Sequence, residues 1–388
     1  MSSLQRARAC AATLGLASLF WLSPRTLWAQ PGGATTSLSM NVAAAADSNA
    51  RLEPDAAAFP WSSSLGLGLL HTRQLGKLGL SLDGNSGYSY NPREPDLSRP
   101  NYAGSLKASW APTRRSSFTL SQGVASSFTR ENRELVESGL ILPQTGVLRA
   151  STAASFTQGF SNRAQLSVSS SYGWAIFDKT ALRDAPPLVD GSQLSLQSMA
   201  GYRLSTRYAI EAGYGFGQRM SRERQSRSHA LGIGGSWQHE RGHQVSASAG
   251  AAFLERVRGF RALGSLKAAS RRGRTTLQAS YNRTITEAYG LGRDRLADSF
   301  ALSIARPLSP SVNLAATAGY GTSSDPEDRE FTTSSLAIRA SLAWKITQSL
   351  AFSAVYSHLR SAGNAPQLQG TRASHSVSAS LGYSFRLD

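Results

Sequence analysis

Histidine is the side chain best suited to acid–base or metal chemistry near neutral pH. The six here, His71, His229, His239, His243, His358 and His375, are scattered along the chain. His239 and His243 flank one short break in the pattern, with neither a carboxylate pair nor a serine motif beside them. No glycine loop for phosphates, pair of catalytic acids or metal-ligand cluster rises above chance. We therefore expect no enzyme, no cofactor and no metal. Cys10 is the only cysteine, so a disulfide framework, a thiol catalyst and a cysteine metal site are all excluded once residue 10 is removed. What remains is charge: the formal net charge is +17 and the isoelectric point about 10.6. The basic residues are spread over many short breaks and no compact binding motif accompanies them, so nucleic acid is not expected as a partner.

The first thirty residues explain why Cys10 drops out. Arg6 and Arg8 precede an apolar stretch from Ala11 to Leu22, followed by Leu27-Trp28-Ala29 ahead of Gln30-Pro31. That is the pattern of a secretory signal peptide with a small residue at the cut. We expect residues 1–29 to be the signal and 30–388 the mature domain. Losing Arg6, Arg8 and Arg25 lowers the formal charge from +17 to +14. The apolar stretch is shorter than the ~20 residues a spanning helix needs, and no later run approaches that length.

From Ala34 to Leu387 one pattern repeats: a segment of ten to fourteen residues alternating small or polar with apolar, then a break. Period two over such lengths reads as strands. The last segment is the clearest, with Val377, Ala379, Leu381, Tyr383 and Phe385 on one face and Ser376, Ser378, Ser380, Gly382 and Ser384 on the other. One face suits lipid and the other water. Tight breaks centre on 74–76, 112–115, 161–162, 205–206, 240–242, 271–273, 308–310 and 347–348. Longer ones fall near 46–60, 91–100, 129–146, 178–190, 219–227, 254–258, 287–296, 324–332 and 361–372. Eight tight turns and nine longer loops make eighteen strands. The expected fold is all-β, a single transmembrane antiparallel up-and-down β-barrel with short periplasmic turns and longer outer loops. The glycine-rich second and third segments have soft ends and leave sixteen strands open.

The tryptophans test that reading independently. Trp61, Trp110, Trp174, Trp237 and Trp344 all fall on the apolar parity of their segments, Trp61 and Trp174 toward long loops and the others beside tight turns. Two aromatic girdles at the two membrane interfaces would place them so. A soluble sandwich is disfavoured because the opposite face is Ser, Gly, Ala, Gln and Arg throughout.

That opposite parity would line the lumen, and eighteen strands leave room for water there. It carries Lys107, Arg149, Arg203, Arg207, Arg261, Lys267, Arg339 and Lys345 against Asp83 and Glu211. A cationic, pore-lining wall is the expectation, with snorkelling at strand ends as the alternative for any one residue. Arg283 falls on the outward parity near a long loop, which suits the outer interface and an anionic headgroup. In the longest loop Glu131, Glu134 and Glu137 recur at helical spacing, and we expect this segment either to fold inward as a constriction or to stay on the surface.

The strand pattern, the Tyr383-Ser384-Phe385 ending and the small-residue wall resemble outer-membrane β-barrel porins, including barrels associated with exopolysaccharide secretion. The resemblance covers nearly the whole mature chain but departs at the end, where Arg386-Leu387-Asp388 follow the aromatic residue. It implies passive passage of a hydrophilic solute or polymer through the outer membrane of a Gram-negative bacterium. The partners it implies are outer-membrane lipids and the barrel insertion machinery, with a periplasmic polysaccharide export component in the secretion case. A structural or adhesive barrel without transport is the other class.

Overall fold

The structure is a computed structural model, and it describes residues 33–48, 61–92, 98–128, 145–178, 188–221, 224–239, 242–256, 259–288, 293–326, 332–364 and 370–387. The signal segment and the loop holding Glu131, Glu134 and Glu137 lie outside the described residues.

Eighteen strands run in order: β1 Thr35–Asp47, β2 Trp61–Leu75, β3 Leu78–Tyr90, β4 Arg99–Thr113, β5 Ser116–Phe128, β6 Gly146–Gly159, β7 Ala164–Phe177, β8 Gly191–Arg203 and β9 Tyr208–Ser221. Then come β10 Gln225–His239, β11 His243–Leu254, β12 Gly259–Arg272, β13 Thr275–Ala288, β14 Arg293–Pro307, β15 Val312–Ser324, β16 Thr332–Lys345, β17 Leu350–Gly363 and β18 Gly370–Leu387. Each strand pairs antiparallel with its sequence neighbours, and β1 pairs with β18 from Thr36↔Leu387 to Asp47↔Ser376, which closes the ring. Closure removes the unpaired edges that an open sheet would leave in lipid. Eighteen strands form, with none lost from the glycine-rich second and third segments. The strands overrun the expected segments at several long breaks: β9 and β10 leave only 222–224 between them, and β13 and β14 only 289–292.

Register places the two side-chain sets on opposite faces. Val42 faces Leu381, which faces Phe352, while on the other parity Ala43 faces Ser380, which faces Ser353. Serines meet across the inner wall, Ser353 to Ser380 at 2.7 Å and Ser248 to Ser265 at 2.7 Å. Such pairs satisfy hydroxyls without filling space.

Two kinds of tight turn recur. Gly76 and Gly273 open two-residue turns at φ 58° and 59°, a left-handed conformation that glycine adopts without steric cost. Elsewhere a hydroxyl holds the turn: Ser161 Oγ accepts from the Arg163 and Ala164 amides, Ser205 Oγ from those of Arg207 and Tyr208, and Thr347 Oγ1 from those of Ser349 and Leu350. This local bonding is the reason serine and threonine favour turns. Neighbouring turns are stitched by backbone bonds such as Arg203 N to Arg163 O at 2.7 Å and Gln238 N to Arg207 O at 2.9 Å.

Burial collects at the other end. Val147, Phe177, Ala252, Leu254, Ala297, Leu359 and Ser374 are buried, all on the lumen parity and near long-loop strand ends. The described core is therefore a layer across the long-loop end of the lumen. The sequence reading had the lumen face mostly small, with cations among the small residues, and gave no sign of this buried layer.

Candidate channel

Three cations of the expected pore lining stand on the wall away from strand ends. Lys107 pairs in register with Ser81 and Ser121, Lys267 with Ser246 and Ser280, and Arg339 with Thr317 and Ser357. Each is exposed and flanked by small hydroxyl residues, so nothing neutralises it in its own row. Arg203 and Lys345 are the last residues of β8 and β16 and stand at the tight-turn mouth. Arg207 directly precedes β9, which begins at Tyr208; its amide donates to Ser205 Oγ at 3.1 Å while its carbonyl accepts from Gln238 N at 2.9 Å. Arg149 sits near the long-loop end of β6, half-buried. Arg261, near the same end of β12, donates to the carbonyls of Phe260 at 3.0 Å and Pro326 at 2.8 Å. The expected row is thus two groups, one through the lower wall and mouth and one engaged at the upper end.

Of the acids, Asp83 is exposed on the inner parity of β3, opposite Leu70 and Ser105. Glu211 on β9 lies over Gly234 of the paired strand, where an added Cβ would come 2.9 Å from Glu211 Oε1 and 3.1 Å from its Cγ. The glycine is needed there so that the carboxylate can lie against the wall.

The five tryptophans lie on the outward parity, with Trp110 beside Leu78 and Phe118, Trp237 beside Tyr208 and Val245, and Trp344 beside Val312 and Phe352. Trp174 pairs with Ala150 and Ser192, and Trp61 makes an edge contact to Tyr90 at 6.5 Å between centroids. Arg283 is outward too. Its Nη1 lies 3.6 Å from Asp298 Oδ1, which accepts a 2.6 Å bond from Tyr281, so the expected headgroup contact has a carboxylate from the same chain beside it.

No protein-family model matches this chain, and no curated protein is similar enough to match. Solved structures do match by fold. OpdQ of Pseudomonas aeruginosa aligns over 92% of this chain and 98% of its own at 9% identity and a TM-score of 0.51. The siderophore receptor PirA of Acinetobacter baumannii aligns over 92% and 81% at 10% identity and 0.52. The fold is an outer-membrane β-barrel. At such identity the likeness speaks for the architecture and for no ligand.

Sequence reasoning missed the polar contacts at the upper end of this barrel. Arg219 on β9 forms a salt bridge with Asp294 on β14, both nearly buried, and Ser226 on β10 donates to the other oxygen of Asp294 at 2.7 Å. Buried Arg295 donates to Ser323 Oγ at 3.3 Å and to Thr333 Oγ1 at 3.2 Å. These residues are 75 and 38 positions apart at their widest, so no local spacing could have signalled them. Histidines bond to a hydroxyl on a paired strand: His229 to Tyr214 at 2.8 Å, His243 to Ser270 at 2.9 Å, and His375 to Tyr356 at 3.0 Å. Among the described residues no group of three metal-ligating side chains forms.

Proposed function

We propose that this barrel sits in the outer membrane of a Gram-negative bacterium and passes hydrophilic solutes passively, favouring anions, or conducts an anionic polysaccharide outward. The observation carrying this reading is the lower lumen wall, where Lys107, Lys267 and Arg339 stand exposed among hydroxyl residues while Arg203 and Lys345 ring the mouth. Rings of charged side chains set the sign of a pore's permeant ion. Every one of the eight tight turns also has a lysine or arginine in it or at its flanking strand end, against Glu240 as the single carboxylate in those turns. Such a rim raises the local concentration of anions at the mouth. The fold is one used by outer-membrane channels and siderophore receptors, which supports passage without naming a cargo.

Liposome swelling tests the proposal. Vesicles carrying the barrel should swell faster in a small anionic sugar acid than in a cationic amino sugar of equal size, with the neutral sugar between. Equal rates, or no swelling with a correctly folded barrel, would refute it. The second outcome is what a structural, non-transporting barrel predicts, and the buried layer of Phe177, Leu254 and Arg295 at the long-loop end is the observation favouring that reading.

A further inference from the structure

The wall of this barrel is split at one place. Most neighbouring strands are paired close to their long-loop ends, and β11–β12 is paired to its last residues, Leu254↔Gly259. The β12–β13 ladder instead runs only from Arg272↔Thr275 to Gly264↔Arg283. Continuing its register would match Leu263 with Thr284, Ala262 with Ile285 and Arg261 with Thr286, and none of these pairs forms. On the far side β13 stays paired with β14 up to Ala288↔Arg293. The β13–β14 hairpin has therefore parted from β12 as a unit.

The parted hairpin carries the cross-strand contact described above. β9 and β14 are separated in the sheet by four strands, β10 to β13, yet Asp294 reaches Arg219 and Ser226, and Arg219 also donates to the Ile285 carbonyl at 3.4 Å. That carbonyl belongs to the parted stretch of β13. Arg261, on the other lip, is tied past the hairpin to Pro326. Backbone groups left without a partner carry a cost, so a split in an otherwise continuous ladder needs a reason.

We propose that the seam between β12 and β13 is a lateral portal, through which a single-chain amphiphile with an anionic headgroup passes between the long-loop end of the lumen and the outer leaflet. The chemistry at its lips fits that class. Phe260 lies on the outer lip, its ring tilted against that of Phe253 at 5.3 Å between centroids, and at 73% exposure it is the most exposed large apolar side chain described. Arg283 stands at the foot of the split, its Nη1 3.6 Å from Asp298 and its Nε buried with no hydrogen-bond partner among the described residues. Leu263, Ala252 and buried Leu254 give the lumen side an apolar patch for the chain. An acyl chain lies along the phenylalanines while its carboxylate meets the guanidinium. The Arg219–Asp294 bridge is the hook that keeps the portal open.

Cys10 is the only native cysteine, which makes paired cysteines a clean test. Leu263→Cys with Thr284→Cys spans the seam, and Ser265→Cys with Asn282→Cys spans the adjoining paired rung. Under mild oxidation in the outer membrane the rung pair should close into a disulfide and the seam pair should remain as thiols. Adding Asp294→Asn to the seam pair should let the ladder continue and the disulfide form. Cells expressing the barrel should take up an alkyne-tagged medium-chain fatty acid faster than cells without it. Bridging the seam cysteines with a short bis-maleimide should return uptake to the level of cells lacking the barrel. A seam disulfide that forms as readily as the rung disulfide, or uptake unchanged by the bridge, would overturn the portal. Ion conductance of the bridged barrel, recorded in parallel, reports on the hydrophilic channel alone, so failure of one reading is distinguishable from failure of the other.

Discussion

Arg203, Lys267 and Arg339 occupy three levels of the lumen face, from the mouth at the end of β8 to the middle of β12 and β16. Replacing all three with glutamine should move the anion-to-cation permeability ratio toward unity, with the heat-modifiable migration of the folded barrel unchanged. A ratio equal to wild type would return these side chains to a snorkelling role. Screening limits their reach to about 8 Å at physiological ionic strength, so the wild-type preference should be strongest in dilute salt. At the same scale, Arg219→Gln leaves nearly buried Asp294 without its charge partner. Breaking a buried pair costs roughly 3–5 kcal/mol, and urea unfolding in lipid vesicles should register a lower midpoint for R219Q. The lower wall was legible because inward and outward positions alternate strictly along a strand. Arg219 and Asp294 were not, because they belong to strands four apart and meet only where a hairpin leaves its neighbour.

The turns and loops are the elements that set orientation. We propose that the nine longer loops lie outside and the eight tight turns in the periplasm, as short periplasmic turns and long outer loops do in such barrels. Single cysteines at Asp55 or Asp328 should react with a membrane-impermeant maleimide on intact cells, and those at Arg114 or Arg272 should not. The reverse labelling would invert the topology. The turns also differ in how they can be weakened. Ser205→Ala removes the acceptor for two amides and should cost about 1 kcal/mol. Gly273→Ala forces a side chain into a left-handed backbone at φ 59° and should cost roughly 1–2 kcal/mol. Every tight break was visible as a short interruption of the alternation. The ends of β9, β10, β13 and β14 were not, because Gln225-Ser226-Arg227 and Thr286-Glu287-Ala288 are polar enough to read as loop while still pairing as strand. Arg207 continues the parity of β9 in the sequence and lies just before its first residue, with its amide on the Ser205 hydroxyl.

For the whole molecule, eight tight turns and nine longer loops pointed to eighteen strands while the glycine-rich second and third segments left sixteen open, and the β1–β18 ladder closes the ring at eighteen. How full the lumen is at its long-loop end could not be read the same way. Val147, Phe177 and Leu359 look like ordinary members of alternating strands, and their burial depends on what lies over them. A cationic, hydroxyl-lined lower lumen thus meets a more buried upper end, and the proposed function requires that water and anions pass from one to the other. Reversal potential across a tenfold potassium chloride gradient, recorded from single barrels in a planar bilayer, tests that claim most directly. Discrete conductance steps are expected, with a reversal potential displaced toward that of chloride and a displacement that shrinks as both salt concentrations are raised. A displacement toward potassium, or a folded barrel that shows no conductance, would contradict it.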